Sequence, residues 1–396
     1  MEKKRPYAEM PYKEYKLRLE KCKELMEEYK IDALLLFSPT NIRYYTGLVK
    51  TTTATAPRWR RTAIIPLDGD PVLLGRLGKE TARMMTWLED IRDVDQILDT
   101  TPYVDSCVET IKDLNLHNKV LGIDIDPWWP GMFALDVSPL DIESIKRRSP
   151  NARFVEAYQL CREQRFVKTE YEIEIFRKCC EITVEAFEKA FTSAKEGMTE
   201  PEISLILWQT FMSNGGLDDS LLIGRMSVNA YDRLLGMPVK RKLKRGDILT
   251  YNGGGCYRGY HSDVSRILSF GEPSEQQKKV FEAARRGTDA AYEAFKPGNK
   301  ASDVYNAAVK AAKEFYPGIK PLLLCGHGIG LDSHEPPMLS AKYDTLLKPG
   351  VVCAIEILIG DPERRLWGGV VENDLVVTED GNENMCEKMS RDVFIV

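Results

Sequence analysis

The stretch from Gly246 to Arg266, GDILTYNGGGCYRGYHSDVSR, decides the fold because it combines a buried-looking strand, a run of glycines and one isolated acid. GDILTY predicts a short apolar strand, the three glycines that begin at Gly253 permit a turn, and YHSDVSRIL predicts a returning strand. We therefore expect a hairpin. Asp263 in its second strand must be paired, hydrogen-bonded or metal-bound, because an unpartnered buried carboxylate is strongly unfavourable.

Candidate partners for Asp263 occur later in the chain. GHGIGLDSHEPP carries His327 and His334 in a glycine-rich turn, VVCAIEILIG places Glu356 within an apolar run, and GGVVENDLVV places Glu372 at the start of another. One imidazole and three carboxylates make an oxygen-rich set that is typical of Mn, Fe, Co or Zn and not of a thiolate site. Any one of these residues alone is better explained as a satisfied polar core residue, but four together favour a metal centre.

The order Asp, His, Glu, Glu in GYHSDVSR, GHGIGLDSHEPP, a Glu-centred strand and GGVVENDLVV followed by TEDG resembles the pita-bread enzymes. These include methionine aminopeptidase, aminopeptidase P, prolidase and creatinase. The resemblance implies an α/β fold class, with a small α/β creatinase-type N-terminal domain over residues 1–160 and a pita-bread α+β catalytic domain over residues 161–396. It also implies a homodimer in which the N-terminal domain contributes to the neighbouring active site.

The resemblance implies a ligand set for one metal that is complete in this chain: Asp263, His327, Glu356 and Glu372. A second metal in the family needs a further aspartate at the position where this chain has Asn252. An amide oxygen can coordinate a cation, but it carries no charge and attracts the cation far less. We therefore expect one tight divalent ion, Mn, Fe, Co or Zn, and a weak or absent second one.

The resemblance also implies catalytic roles. A bound cation would polarise a carbonyl or lower the pKa of water, and Glu356 or Glu372 would take the proton. His334 matches a histidine that stabilises or protonates a developing anion, although a histidine that bonds a backbone carbonyl has the same sequence appearance.

Three further residues are candidates for substrate binding. Arg60 falls where a carboxylate-binding arginine of the family would reach the partner's site, and either Arg60 or Arg61 could form a bidentate contact. A solvated polar loop explains the same stretch equally well. His261 shares a predicted strand face with Asp263, so it either approaches the site or packs elsewhere.

Several positions depart from the pattern of the family's peptidases. Leu235 stands where a histidine is expected, Val370 where an arginine is expected, and Ile357 where a proline is common. We expect hydrolysis of a C–N bond in a small, carboxylate-bearing molecule. Three alternatives stay open: an Xaa-Pro peptidase, a lyase acting on dimethylsulfoniopropionate or a similar zwitterion, and a non-catalytic binding module.

Composition excludes several other classes. The 396 residues carry a formal net charge of −5, which gives no support for nucleic-acid binding, and they contain no apolar run long enough for a membrane span or a signal peptide. We expect a cytoplasmic protein that uses a small-molecule substrate. The nine cysteines are scattered, which predicts reduced thiols. Periodicity predicts helices over 12–29, from about 168, from Thr199 to about 212, and in two segments between 274 and 316.

Overall fold

The computed structural model describes residues 9–49, 60–76, 78–94, 99, 101–125, 137–216, 222–228, 240–321, 323–367 and 371–396. The chain forms two compact units, Met1–Arg165 and Phe166–Val396. None of the helices within the described ranges combines the length and the apolarity that crossing a membrane requires.

The first unit contains a mixed sheet. Its strands are β1 (Ala33–Leu36), β2 (Arg61–Pro66), β3 (Val72–Gly75), β4 (Asp90–Asp93), β5 (Val120–Ile123) and β6 (Arg153–Glu156). They lie in the order β4-β3-β2-β1-β5-β6, with β1 antiparallel to β2 and parallel to β5. The central strands β1 and β2 are short and buried along their whole length, and β1 is entirely apolar, which is the pattern expected when both faces of a sheet are covered.

Helices cover this sheet. They are α1 (Tyr12–Tyr29), α2 (Pro39–Thr46), α3 (Lys79–Met85), α4 (Thr101–Asp113), α5 (Pro139–Arg148) and α6 (Tyr158–Phe166). The prediction of a helix over 12–29 is confirmed at both ends. Apolar side chains of α4 and α5 pack against β1 and β5 in a single core cluster.

The second unit begins with two capped helices. They are α7 (Glu170–Ser193) and α8 (Glu200–Ser213), and the chain later adds α9 (Glu275–Ala294) and α10 (Ala301–Phe315). Thr169 caps α7, since its hydroxyl accepts from the Glu172 N–H at 3.2 Å while the Glu172 carboxylate accepts from the Thr169 N–H at 2.9 Å. The expected N-cap at Thr199 is confirmed, and its partner is Glu202.

Two larger sheets hold the acidic residues. One has the order β20-β11-β8-β7 and the other β14-β13-β15-β18-β19, while β12-β16-β17 and β10-β9 form smaller sheets. Their strands are β7 (Leu222–Val228), β8 (Ile248–Gly254), β9 (Cys256–Tyr257), β10 (Tyr260–His261), β11 (Val264–Ser269), β12 (Lys320–Pro321), β13 (Gly326–Gly328), β14 (Glu335–Met338), β15 (Val352–Ile355), β16 (Ile359–Asp361), β17 (Leu366–Trp367), β18 (Asn373–Val377), β19 (Asn382–Asn384) and β20 (Phe394–Ile395).

The predicted antiparallel pair is present, but its turn lies elsewhere than expected. β8 pairs with β11, and β8 continues through Gly254 instead of turning there. The chain reverses in the β9–β10 ribbon, where Arg258 and Gly259 have φ of 49° and 85°. A Cβ on Gly254 would lie 2.0 Å from the Ser262 carbonyl oxygen. This glycine is therefore required by a close backbone approach and not by a turn.

A short backbone bridge joins the two larger sheets. The Ser265 N–H donates to the Glu372 carbonyl at 3.4 Å, and the Glu372 N–H donates to the Ser265 carbonyl at 3.2 Å. Buried Arg266 reinforces this bridge, because its guanidinium donates to the Glu372 carbonyl at 2.8 Å and to Asn373 Oδ1 at 2.7 Å. We call this bridge the sheet seam.

The candidate acids lie at strand ends and not within strands, which corrects the expectation from their apolar surroundings. Asp263 immediately precedes β11, Glu356 immediately follows β15, and Glu372 immediately precedes β18. His327, expected in a turn, is the central residue of β13.

Candidate metal centre

Three of the predicted ligands converge. Donor atoms of Asp263, His327 and Glu372 all lie within 4.8 Å of one another, and the three residues are 4%, 2% and 0% exposed. The Nε2 atom of His327 lies 3.9 Å from Oδ2 of Asp263. Residues that are far apart in sequence therefore present one imidazole and two carboxyl groups to a shared buried point.

Glu356 belongs to the same electrostatic neighbourhood. Burial and, to a lesser extent, the negative charge of Asp263 together raise the pKa of Glu356 to about 8. Burial also raises the pKa of Glu372 well above its ordinary value, with additional contributions from the charges of Asp263 and Glu356. Carboxyl groups crowded in this way resist ionisation unless a cation neutralises them.

The orientation of His327 suits a ligand. Its Nδ1 lies 3.0 Å from the Gly328 carbonyl oxygen, and a carbonyl can only accept, so Nδ1 carries the hydrogen. The lone pair is then on Nε2, the nitrogen that faces Asp263. Burial, followed by the neighbouring His334, lowers the pKa of His327 to about 3. The ring is therefore neutral at neutral pH and able to bind a cation.

His334 stacks on His327. The ring centroids are 3.7 Å apart, the planes differ by 14°, and the Nδ1 atom of His334 lies 3.2 Å from the hydroxyl of Ser333. His334 is half-buried, unlike the ligands beneath it. Its expected role toward a developing anion stays a prediction.

Asn252 contacts the centre through its amide nitrogen. The Asn252 Nδ2 donates to Glu372 Oε2 at 2.6 Å, and Asn252 pairs in the sheet with Ser265, the residue that bridges to Glu372. An amide N–H cannot coordinate a cation. Ligation by the amide oxygen of Asn252 stays a prediction, and the contact in the structure is a hydrogen bond that fixes a ligand.

The candidate substrate-binding residues have other contacts. The His261 N–H donates to the Gly330 carbonyl at 2.9 Å, and its Nδ1 lies 3.2 Å from the same oxygen. Arg60 forms an ion pair with Asp141 in the first unit, and Arg61 is buried in β2. Their roles toward a substrate stay predictions. Leu235 and Val370 lie outside the described residues.

Sequence reasoning missed two buried acids beside the centre. Asp374 Oδ2 accepts the backbone N–H of Asp263 at 3.0 Å, and Glu335 pairs with the Lys168 ammonium at 3.1 Å. Strand alternation offered a signal for Asp374, since residues two apart share a face and Glu372 lies two positions earlier. No local signal identifies Lys168, which lies 167 residues from its partner.

The donor set fits a divalent cation. Among the residues that the structure describes, Glu372 Oε1 is buried without a hydrogen-bond partner, a cost that coordination would remove. A neutral imidazole nitrogen and carboxylate oxygens are the ligands that first-row divalent metals accept.

This fold and this centre define a metallopeptidase. The sequence profile of metallopeptidase family M24 matches residues 174–379, and that of the creatinase/prolidase N-terminal domain matches residues 18–167. The chain belongs to metallopeptidase family M24, and the predicted fold class and family resemblance are confirmed.

Similar proteins agree with this assignment. The Xaa-Pro dipeptidase of Pyrococcus furiosus is 28% identical over 376 residues, which cover 94% of this chain and 98% of the relative. The Xaa-Pro dipeptidase of Lactobacillus delbrueckii is 28% identical over 371 residues, 92% of this chain and 95% of that one. The structure of a prolidase from Thermococcus sibiricus superposes with a TM-score of 0.81 at 23% identity, covering 96% of this chain and 99% of the other.

The prediction of an enzyme is confirmed: the chain is a metal-dependent hydrolase of the creatinase/prolidase type, and its cofactor class is a divalent metal ion.

Proposed function

We propose that this enzyme hydrolyses the C–N bond of a small peptide-type substrate that carries a free carboxylate. The observation that supports the proposal most directly is the buried convergence of Asp263, His327 and Glu372. Two relatives that align over nearly the whole chain are Xaa-Pro dipeptidases, so dipeptides with a C-terminal proline are the first substrates to test.

Four residues would hold the cation: Asp263, His327, Glu356 and Glu372. A divalent ion at this point would supply Lewis acidity and would lower the pKa of water. His327 keeps its Nε2 lone pair available because Nδ1 is bonded to Gly328. The Asn252 amide holds one oxygen of Glu372 and fixes the orientation of that side chain.

Glu356 is the better candidate for proton transfer. Its donor atoms lie outside the close group formed by Asp263, His327 and Glu372, whereas Glu372 Oε2 is already engaged by Asn252. Its raised pKa shows that the carboxyl group readily holds a proton near neutral pH in this environment. Half-buried His334 lies at the edge of the centre, where it can donate to an anion that forms on the substrate.

We also propose that one cation binds tightly. Asn252 occupies the position that would complete a second ligand set, and it presents an N–H group to Glu372. The metal itself, Mn, Fe, Co or Zn, is to be identified by elemental analysis of the purified protein. The homodimer expected from the family resemblance is to be tested by sedimentation.

The decisive assay compares Xaa-Pro dipeptides with the same dipeptides amidated at the C-terminus, after chelation and after metal is restored. We expect hydrolysis of the free acid only, restored by metal and abolished in E356Q. A chain that holds one equivalent of metal and cleaves neither peptide would exclude Xaa-Pro dipeptidase activity, and failure on other small carboxylate-bearing peptides as well would refute the proposal. Release of dimethyl sulfide from dimethylsulfoniopropionate would assign a lyase instead.

The predicted role of Arg60 has its own test. If its guanidinium binds the substrate carboxylate, R60A should raise KM for the free acid about tenfold and R60K should not restore it, because a bidentate contact needs the planar fork. R83A, which removes an arginine paired on the surface of α3, is the matched control. An unchanged KM in R60A would exclude the role.

A further inference from the structure

A second cluster of potential ligands lies next to the metal centre. The thiols of Cys180 on α7 and Cys386 after β19, together with the carboxyl group of Asp374 on β18, have donor atoms that all lie within 4.8 Å of one another. The three residues are fully buried. We call this group the thiol cluster.

The hydrogen bonds of the thiol cluster leave one carboxyl oxygen unused. The Cys180 thiol donates to Asp374 Oδ2 at 3.4 Å, and the Asp263 backbone N–H donates to the same oxygen at 3.0 Å. Within the described ranges, Asp374 Oδ1 is buried without a hydrogen-bond partner. An orphaned carboxyl oxygen in a closed interior is costly, and each such group in a native structure requires an explanation.

We infer that the thiol cluster binds a thiophilic divalent cation, of which zinc is the natural example. Two cysteine sulfurs and a carboxylate oxygen are a ligand set that zinc accepts, with donor atoms about 3.5–4 Å apart around a tetrahedral ion. The donor atoms of the thiol cluster all lie within 4.8 Å of one another, close to the separations that this geometry requires. Coordination would also give Asp374 Oδ1 the partner that it lacks.

The two centres differ in the softness of their ligands. The ligand group of Asp263, His327 and Glu372 contains no sulfur, so an absorption band from metal–sulfur bonding would report on the thiol cluster alone. They are connected through Asp374, because its Oδ2 holds the backbone of Asp263, a ligand of the catalytic metal. A cation in the thiol cluster would therefore fix the residue that orients this ligand.

Cadmium alone is the probe, added to the reduced, metal-free, full-length chain. We expect an ultraviolet sulfur-to-cadmium charge-transfer band that saturates at one thiolate-bound ion per chain. The band should be lost in C180S/C386S and retained in H327A, which removes a ligand of the other centre. C107S is the matched control, since Cys107 is equally buried but lies in the first unit.

The wild-type titration by itself can refute the inference, because no thiolate band at stoichiometric cadmium would exclude the site. An equal band in C180S/C386S would exclude these ligands. If that variant fails to fold, D374N keeps both thiols and should weaken cadmium binding at least about tenfold. A Cys180–Cys386 disulfide in protein purified under reducing conditions would assign the pair to redox chemistry and overturn the metal site.

Discussion

Glu356 and Asp361 lie five residues apart, both are buried, and their pKa values shift in opposite directions. Burial, followed by the negative charge of Asp263, raises the pKa of Glu356 to about 8. Burial acts on Asp361 in the same direction, but hydrogen bonds from the Tyr316 hydroxyl and from Arg364 outweigh it and lower the pKa to about 2. Among the described residues, hydrogen-bond donors therefore compensate the charge of Asp361, whereas burial and the charge of Asp263 disfavour ionisation of Glu356, the residue proposed for proton transfer.

The difference shows what the centre requires. The guanidinium of Arg364 donates to Asp361 at 2.8 Å and its backbone N–H donates at 3.0 Å, so that carboxylate is compensated by the protein. At the centre the repulsion among neighbouring carboxyl groups is relieved either by protonation, as the raised pKa values of Glu356 and Glu372 indicate, or by a bound cation. The comparison leads to four predictions, ordered by the size of the expected effect.

Substitution of His327 should have the largest effect on activity. H327A should lower kcat/KM by about a thousandfold, corresponding to about 4 kcal/mol of lost transition-state stabilisation, because the cation loses its nitrogen ligand. Metal content, measured by elemental analysis, should fall in parallel. H117A, at an exposed position in the first unit, is the control. Full metal occupancy with near-normal turnover in H327A would contradict the assignment.

Adding a carboxylate to the centre should increase the number of divalent cations that it binds. N252D replaces the N–H donor to Glu372 with a charged ligand, so the manganese content after dialysis of the manganese-loaded protein should rise from one equivalent to two. N115D, at an exposed position, should leave it at one. Two equivalents of manganese, an ion that the sulfur ligands of the thiol cluster would not favour, would contradict the single-site proposal if the unmodified enzyme held them.

The raised pKa of Glu356 predicts how the stability of the metal-free chain depends on pH. In the metal-free chain Glu356 keeps its proton up to about pH 8, whereas in the unfolded chain it loses it near its ordinary value of 4.5. The folded state therefore binds more protons between these values, and the free energy of unfolding should fall as pH rises through this window. E356Q should flatten this fall, and thermal melts at several pH values measure it.

Bound metal should reverse the pH dependence, so that the free energy of unfolding rises with pH. Metal binding releases protons and therefore strengthens as pH rises. At a concentration a hundredfold above the dissociation constant it should add about 2.7 kcal/mol of stability. A metal-free chain whose stability rises from pH 5 to pH 8 would contradict the raised pKa of Glu356.

Asp361 should give the smallest and opposite effect. D361N should lower the free energy of unfolding at neutral pH by about 1 kcal/mol, since Arg364 is half-exposed and solvent weakens the pair. The contribution of Asp361 is fully present above its unfolded pKa of 3.8 and is lost as pH falls through about 2. The difference between D361N and the parent chain should therefore shrink in acid. E379Q, at an exposed position, serves as the control in denaturant titrations.

Much of the fold could be predicted because its signals are local. The helix over 12–29 follows from apolar spacing, and the start of α8 follows from Thr199 and Glu202, three residues apart. The ligand residues Asp263, His327 and Glu372 could be recognised because each is an isolated polar residue in apolar sequence, and the structure brings them together.

The contacts that could not be predicted depend on residues distant in sequence. The contact of Asn252 with Glu372 depends on the strand register between β8 and β11, which places Asn252 opposite Ser265. The pairs Lys168 with Glu335 and Arg60 with Asp141 span 167 and 81 residues. Nothing in the local sequence around Cys180 indicates that Cys386 lies beside it.

The sheet seam has a consequence for how the enzyme assembles. Asp263 and Glu372 immediately precede β11 and β18, strands of different sheets that are joined by two backbone hydrogen bonds between Ser265 and Glu372. The centre forms only while the two sheets are in contact, so a cation bound by residues of both would also stabilise the contact between them. Loss of the ion should loosen this junction first, and amide hydrogen exchange at Ser265 and Glu372 would accelerate before exchange in the surrounding strands.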